Sequence, residues 1–210
     1  MQLLMFLLAG FDTSANTLSL VSHALALHAE VQAKVQDEID SVCFDEDPTY
    51  EQLSQLKYTE AVVKETLRLL PIATNVLNRT CCQTTTLGDI TVEKGSAVVC
   101  AIFFRCITTK PCGERTRTNF DQKGGSKQEG NNNCHRFYAF GGGPRICIGM
   151  RFAMIEEKLA LVRILRKYSI VQTADTEKEL AFSGQSVITP KSVTVGLQLR
   201  DGEERHGTFE

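Results

Sequence analysis

Apolar residues near the amino terminus recur at steps of three and four, which is the period of an α-helix. They are Leu4, Leu7, Leu8, Phe11, Leu18, Val21, Leu25 and Leu27. A second stripe from Val31 to Val42 predicts another helix, with a joint near His28. The first run has no basic lead-in of the kind a signal peptide carries, and Asp12 interrupts it before the length of a membrane span. We therefore expect a buried helix whose beginning lies outside this sequence.

Two shorter helices are predicted after a polar break at 44–48. Thr49 and Gln52 form a T-x-x-Q capping box, which indicates a helix start at Tyr50. The next helix, "YTEAVVKETLRLL", should end before Pro71, because proline disfavours the helical conformation of the residue that precedes it.

The rest of the chain alternates extended and irregular patterns. Residues 71–104 carry β-branched runs with a turn at 93–95 and predict strands, whereas 105–136 are polar, aperiodic and predicted to be irregular. A long helix is expected from Met150 to about Tyr168, followed by a hairpin turning at Pro190 and Lys191 and a frayed tail at 201–210. Across 1–200 the pattern predicts mainly helices with small β-sheets, and the length allows one large domain or two small ones.

Composition narrows the function classes. The net charge of −2 gives no overall basic field, and no nucleic-acid-binding motif is present, so nucleic acid is excluded as a partner. The eight cysteines include no C-x-x-C pair, and the 210-residue chain is not a short secreted scaffold. Most of the cysteines are therefore expected to be reduced thiols.

One cysteine lies in unusual surroundings. The stretch "AFGGGPRICIG", residues 139–149, places Cys147 in a glycine-rich loop just before the predicted helix, two residues after Arg145. Helix N-termini and nearby cations stabilise a thiolate, the form that binds metals. A glycine-rich turn whose cysteine has no chemical role is the simpler alternative. The glycine-rich stretch does not match a nucleotide-binding loop. No Walker A string occurs, and Ile146 stands where a dinucleotide fingerprint needs glycine.

Five residues of this stretch match a family motif. They are Phe140, Gly143, Arg145, Cys147 and Gly149, which fit F-x-x-G-x-R-x-C-x-G. The motif resembles the haem-binding loop of the cytochrome P450 superfamily. The resemblance implies that Cys147 is the axial ligand of the iron in haem b, and that Phe140, Gly141, Arg145 and Gly149 belong to the cofactor site.

A second motif lies upstream, in the first helix. "AGFDTS", residues 9–14, resembles the motif of the helix that crosses the other face of the haem in this family. The resemblance implies that Asp12 and Thr13 manage proton delivery to bound oxygen. The alternative is an ordinary helix with Asp12 on its solvent face.

Three further residues match the family by position. Glu65 and Arg68 fit its E-x-x-R motif and would form a structural core pair, whereas a solvated pair three residues apart is the ordinary interpretation. Arg79 and Arg145 resemble arginines that bind the haem propionates. For Arg79, a surface arginine in a loop is the alternative.

The resemblance implies a fold, an activity and partners. The fold is the mainly α, α+β, C-terminal half of the cytochrome P450 fold. The full-length protein would be a haem-thiolate monooxygenase of the endoplasmic reticulum membrane, inserting one oxygen atom from O2 into an apolar substrate. Its electrons would come from NADPH through NADPH-cytochrome P450 reductase, docking around the Cys147 loop. The helix after Cys147 and the final strands resemble the microsomal branch that includes thromboxane synthase and the drug-metabolising enzymes.

The sequence also departs from the family. The family's membrane anchor and first half are not in these residues, and its P-E-R-F-like string is not found; Arg115 and Arg117 are candidates without matching flanks. A second interpretation is therefore a truncated or mispredicted non-catalytic fragment that does not retain haem, with 105–136 reflecting a reading-frame error. A third is a helical binding module with free thiols.

Overall fold

The computed structural model describes residues 2–73, 78–99, 139–184 and 187–200. Within them the helices are α1 (Gln2–Leu27), α2 (Ala29–Val42), α3 (Tyr50–Gln55), α4 (Lys57–Leu69) and α5 (Met150–Leu165). The strands are β1 (Asn78–Thr80), β2 (Thr85–Leu87), β3 (Ile90–Val92), β4 (Ala97–Val99), β5 (Tyr168–Val171), β6 (Phe182–Ser183), β7 (Thr189–Pro190) and β8 (Gly196–Leu199). The mainly helical class with small sheets is confirmed. The irregular segment 105–136 and the tail 201–210 lie outside the described residues.

The core forms where the second half of α1 packs with α2, α4, α5 and β5. Its most buried side chains include Leu20, Val21, Leu25, Val35, Ile39, Val62, Leu161, Leu165 and Ile170. The amide of Gln32 on α2 binds both backbone groups of Ile170, donating to its carbonyl at 2.8 Å and accepting from its N–H at 2.6 Å. This contact fixes β5, and with it the end of α5, against α2.

The predicted helix boundaries are largely confirmed. The joint at His28 separates α1 from α2, and α4 ends at Leu69, before the proline. At the start of α3 the Thr49 hydroxyl accepts from the Gln52 N–H at 3.3 Å, and the Thr49 N–H donates to the Gln52 side chain at 2.9 Å. These bonds satisfy backbone donors that the first helical turn leaves open.

The strands form antiparallel two-stranded ladders, β1–β4, β2–β3, β5–β8 and β6–β7. The turn at 93–95 is confirmed, with Gly95 at φ 88°. The predicted turn at Pro190 and Lys191 is wrong. Pro190 lies inside β7 opposite Phe182, and the following strand β8 pairs with β5 instead. Proline has no backbone N–H to donate, and an edge position in a strand of two residues does not require one.

Helix α1 is buried along only part of its length. Residues 2–12 are exposed, with Leu3 at 87% and Phe11 at 71%, and burial begins at Ser14. The expectation of a buried helix therefore holds for the second half only. By length and composition α1 could cross a membrane, a test that the core helix of a soluble protein also passes.

Candidate functional site

The Cys147 loop is held by its own backbone. The Cys147 N–H donates to the Phe140 carbonyl at 2.8 Å, which closes the loop, and the Cys147 carbonyl accepts from the Met150 N–H at 3.4 Å, which leads into α5. Gly141 and Gly143 adopt φ values of 78° and 68°. Side chains strongly disfavour these angles, so the two glycines allow the path that brings the cysteine to the mouth of the helix.

The thiol of Cys147 lies on the surface, among apolar side chains. Ile146 is 45% exposed, Ile148 86% and Phe152 73%. Phe140 packs inward against the core, and Arg145, at the end of a short 3-10 turn, is exposed. The loop therefore presents one thiol and one guanidinium on an otherwise apolar surface.

Among the described residues, this face offers a single metal ligand, the Cys147 thiol, which suits a metal ion whose other ligands come from a bound cofactor. In the ranges that the structure describes, no three His, Cys, Asp or Glu side chains cluster as metal ligands. A metal at Cys147 would take one thiolate from these residues. A flat apolar macrocycle that already holds iron fits both the single sulfur and the exposed apolar surface around it.

The residues of the α1 motif lie on the exposed part of that helix, just before the point where it enters the core. Asp12 is exposed, as the simpler alternative expected, and Thr13 is half-buried with its hydroxyl donating to the Ala9 carbonyl at 2.6 Å. The next residue, Ser14, donates to a carboxylate oxygen of Glu156 on α5 at 3.1 Å. The described contacts therefore connect the α1 motif to the Cys147 loop through α5.

Glu65 and Arg68 form a buried pair rather than a solvated one. The Glu65 side chain has no exposed area, and each of its oxygens accepts a 2.7 Å hydrogen bond from the Arg68 guanidinium. Such a two-point contact fixes the geometry of both groups as well as their charge. Arg115 and Arg117, the candidates for a third partner, lie outside the described residues.

Arg79 lies apart from the Cys147 loop in the described contacts. It sits on β1, exposed, and its guanidinium donates to the Asn78 carbonyl at 2.8 Å. Its place on a strand corrects the interpretation of a loop arginine, although its exposure agrees with that alternative. The structure does not bring it into contact with Arg145.

Sequence reasoning missed two buried charged residues on α5. Glu157 and Lys158 are 1% and 3% exposed and lie on the same face as Met154, Leu161 and Leu165. The Lys158 ammonium donates to Glu60 at 2.6 Å and to the Leu53 carbonyl at 3.1 Å. The sequence did contain a signal for their burial, because both residues lie at helical spacing within the apolar stripe of α5.

Glu60 connects α4 to α5 through that lysine. Partial burial raises the pKa of its carboxyl, but hydrogen bonds from Lys158 and Lys64 outweigh burial and bring the pKa to about 2. The Glu60 carboxyl therefore stays ionised at neutral pH, and the hydrogen bond that it accepts from Lys158 ties the two helices together.

A groove of about 400 Å³ lies between α3, α4 and the start of α5, beside the Cys147 loop. Its lining residues are Tyr50, Ser54, Lys57, Glu60, Lys64, Phe140, Met150, Arg151, Met154, Ile155 and Lys158. Four of them are cationic and one is anionic, so the groove carries net positive charge.

The chain was compared with known proteins. The profile of the family described as Cytochrome P450 matches residues 1–105 and 117–197, and the break falls inside the polar segment. Cytochrome P450 CYP13A3 of Caenorhabditis elegans is 42% identical over 202 residues, covering 96% of this chain and 39% of the relative. Cytochrome P450 CYP13A4 of the same organism is 41% identical over 210 residues, covering 95% and 38%.

These matches extend along nearly the whole chain, although the chain spans only about 39% of the first relative's length. They do not place it in the thromboxane synthase branch, and that finer assignment stays a prediction. The matched ranges include the α1 motif and the Glu65–Arg68 pair before the break, and the Cys147 loop after it. The chain belongs to the cytochrome P450 family, a family of haem-dependent oxidoreductases.

Proposed function

We propose that this chain is the haem-holding part of a monooxygenase that inserts one oxygen atom from O2 into an apolar organic substrate. The observation that carries the proposal is the Cys147 loop, where two glycines with positive φ hold an exposed thiol at the start of α5. The same loop falls within the family match.

The residues around the loop would hold haem b through complementary chemistry. Cys147 supplies the thiolate, and Phe140, Gly141 and Gly149 shape the path that presents it. Arg145 and Arg79 would bind the carboxylates of the propionates, since guanidinium groups bind carboxylates at two points. Bound there, haem would supply the iron for oxygen chemistry, and a cysteine thiolate favours cleavage of the O–O bond.

Asp12 and Thr13 would move protons on α1. Asp12 is exposed and is therefore accessible to water. The Thr13 hydroxyl already donates to the Ala9 carbonyl. Its oxygen can therefore still accept a hydrogen bond, for example from a water molecule. Exposed Leu7, Leu8 and Phe11 of the same helix would offer an apolar surface to the substrate.

Electrons would come from NADPH through NADPH-cytochrome P450 reductase. The groove beside the Cys147 loop carries Lys57 and Arg151 at its rim, and an acidic protein surface would complement that charge. The full-length protein would lie at the endoplasmic reticulum membrane.

Reconstitution tests this activity. The chain, supplied with haem, reductase and NADPH, should consume O2 faster than the same mixture with Cys147→Ser, because the serine variant lacks the thiolate. Thr13→Ala should lower product yield per NADPH, and the double variant Lys57→Glu/Arg151→Glu should slow reduction without changing haem content. Equal O2 consumption by the wild-type chain and Cys147→Ser would contradict the proposal and favour the non-catalytic fragment.

A further inference from the structure

Glu157 on α5 is a buried carboxyl without a basic partner. The residue is 1% exposed. Among the described residues, its Oε2 atom is the buried side-chain oxygen or nitrogen that lacks a hydrogen-bond partner. An ionised carboxylate in that position would be strongly unfavourable, because a buried charge needs pairing or several hydrogen bonds.

The neighbour of Glu157 on α1 is Thr17, which is 2% exposed. The Thr17 hydroxyl donates to the Thr13 carbonyl at 2.9 Å and lies beside the Glu157 carboxyl, close enough to affect its pKa. A hydroxyl has one proton to donate. If that proton is on the Thr13 carbonyl, Thr17 presents only its acceptor lone pairs to Glu157, and the carboxyl must carry the proton between them.

The surrounding charges do not favour ionisation. Burial is the main cause and raises the pKa of Glu157, a proton donated by Thr17 lowers it, and the charge of Glu156 raises it, giving a value of about 8. Since the Thr17 hydroxyl donates to the Thr13 carbonyl instead, its lowering effect on the carboxyl is weakened. On the helices packed against α5, other charged groups are engaged elsewhere or exposed. Glu60 pairs with Lys64 and with Lys158, Glu65 binds Arg68, and Glu38 accepts from the backbone of Tyr58 and Thr59. The His23 ring contacts the Glu177 carbonyl, Asp40 pairs with Arg200, and the others are at the surface: Asp12, Glu30, Lys34, Asp37, Glu51 and Lys57.

We propose that Glu157 is a positioning residue that keeps its proton in the folded protein, and that the neutral acid holds the Thr13–Thr17 turn of α1 against α5. The hydrogen bonds then run from Glu157 to Thr17 and from Thr17 to the Thr13 carbonyl. Loss of the proton leaves a buried charge at the α1–α5 contact and loosens the turn. The consequence for proton delivery at Asp12 and Thr13 rests on the proposed function; the contact itself does not.

Chemical unfolding of the 210-residue chain at pH 5 to 9 tests the proposal, with Glu157→Gln as the comparison. The folded pKa lies above the ordinary 4.5, so the native state keeps a proton that the unfolded state releases. Wild-type stability should therefore fall as the pH rises from about 4.5 to about 8, and then level off. Within that range the unfolding constant should rise by up to about tenfold per pH unit. Glutamine cannot ionise, so the fall that Glu157 contributes should be missing. Identical pH profiles for the two proteins would overturn the proposal.

Two controls separate positioning from simple packing. Glu156→Gln changes the adjacent exposed carboxylate and should keep the fall, with its midpoint moved to lower pH. Amide hydrogen exchange across 13–17, corrected for its intrinsic pH dependence, should increase above pH 8 in the wild type but not in Glu157→Gln. If corrected exchange across 13–17 did not change with pH in the wild type, that result would contradict the role of the neutral acid.

The wild-type chain alone gives a third measurement, which holds even if the glutamine variant fails to fold. Its infrared spectrum at pH 7 should contain a protonated carboxylic acid band that titrates near pH 8, and a spectrum without that band would refute the proposal. These measurements need neither haem nor turnover, so their failure is distinguishable from failure of the proposed function.

Discussion

Both carboxylate oxygens of Glu65 accept hydrogen bonds from Arg68, and the Glu65 side chain has no contact with solvent. The same pair on an exposed helix would contribute about 0.2–0.5 kcal/mol. Burial changes the balance, since removing Arg68 takes two hydrogen bonds from a carboxyl that has no contact with solvent. The pair therefore fixes the geometry of two side chains on α4, and its energetic importance follows from its position rather than from its spacing.

Replacing Arg68 tests that importance. Arg68→Ala should lower the free energy of unfolding by about 3–5 kcal/mol, because the buried Glu65 carboxyl would lose both hydrogen bonds from the guanidinium. The matched control is Arg163→Ala, which breaks an ion pair with Asp47 whose side chains are 56% and 81% exposed. That change should cost about 0–1 kcal/mol. Urea unfolding at pH 7 measures both, and equal losses would contradict the importance of burial for the Glu65–Arg68 pair.

At the scale of elements, the Cys147 loop depends on backbone conformation. Gly143 has φ 68° and open space around the position of a side chain, so a substitution there meets conformational strain and no clash. Gly149, the residue before α5, has φ −86°, and an added Cβ would meet only the Cys147 sulfur at 3.9 Å. The two glycines therefore differ in a way that the motif alone does not reveal.

Two alanine substitutions separate these roles. Gly143→Ala should destabilise the loop by about 1–2 kcal/mol, because a side chain is forced into the left-handed region. Gly149→Ala should have a smaller effect, since its backbone is already in an allowed conformation. Thermal unfolding and the reactivity of the Cys147 thiol toward a maleimide reagent measure the change. A larger effect of Gly149→Ala would contradict this account of the loop.

The sequence predicted the boundaries of an element correctly where neighbouring residues alone determine them. The Thr49–Gln52 capping box and the end of α4 before Pro71 depend on neighbouring residues, and both are confirmed. The turn at Pro190 failed because β8 pairs with β5, more than twenty residues earlier, and local pattern does not encode that partner. Glu157 was missed because it was not distinguished from its exposed neighbour Glu156, although only Glu157 lies at helical spacing from Met154 and Leu161 on the buried face.

At the scale of the whole molecule, the described residues leave a large apolar surface uncovered. Residues of the first half of α1 and of the Cys147 face, such as Leu4, Phe11, Ile148 and Phe152, are more than half exposed. Contiguous apolar surface of this kind marks a place where something else binds. Because so many apolar side chains around the Cys147 loop are exposed in the described residues, we expect this chain to hold haem, but weakly.

The most direct test of the central claim is the carbon monoxide difference spectrum of the reduced chain, recorded during titration with haem. We predict a Soret band at the long-wavelength position of thiolate-ligated haem, small at equal concentrations and growing with excess haem, because the site is incompletely covered. Cys147→Ser should abolish that band, whereas Cys82→Ser, at another exposed cysteine, should leave it unchanged. The same spectrum from the wild-type chain and Cys147→Ser would contradict the assignment of Cys147 as the iron ligand.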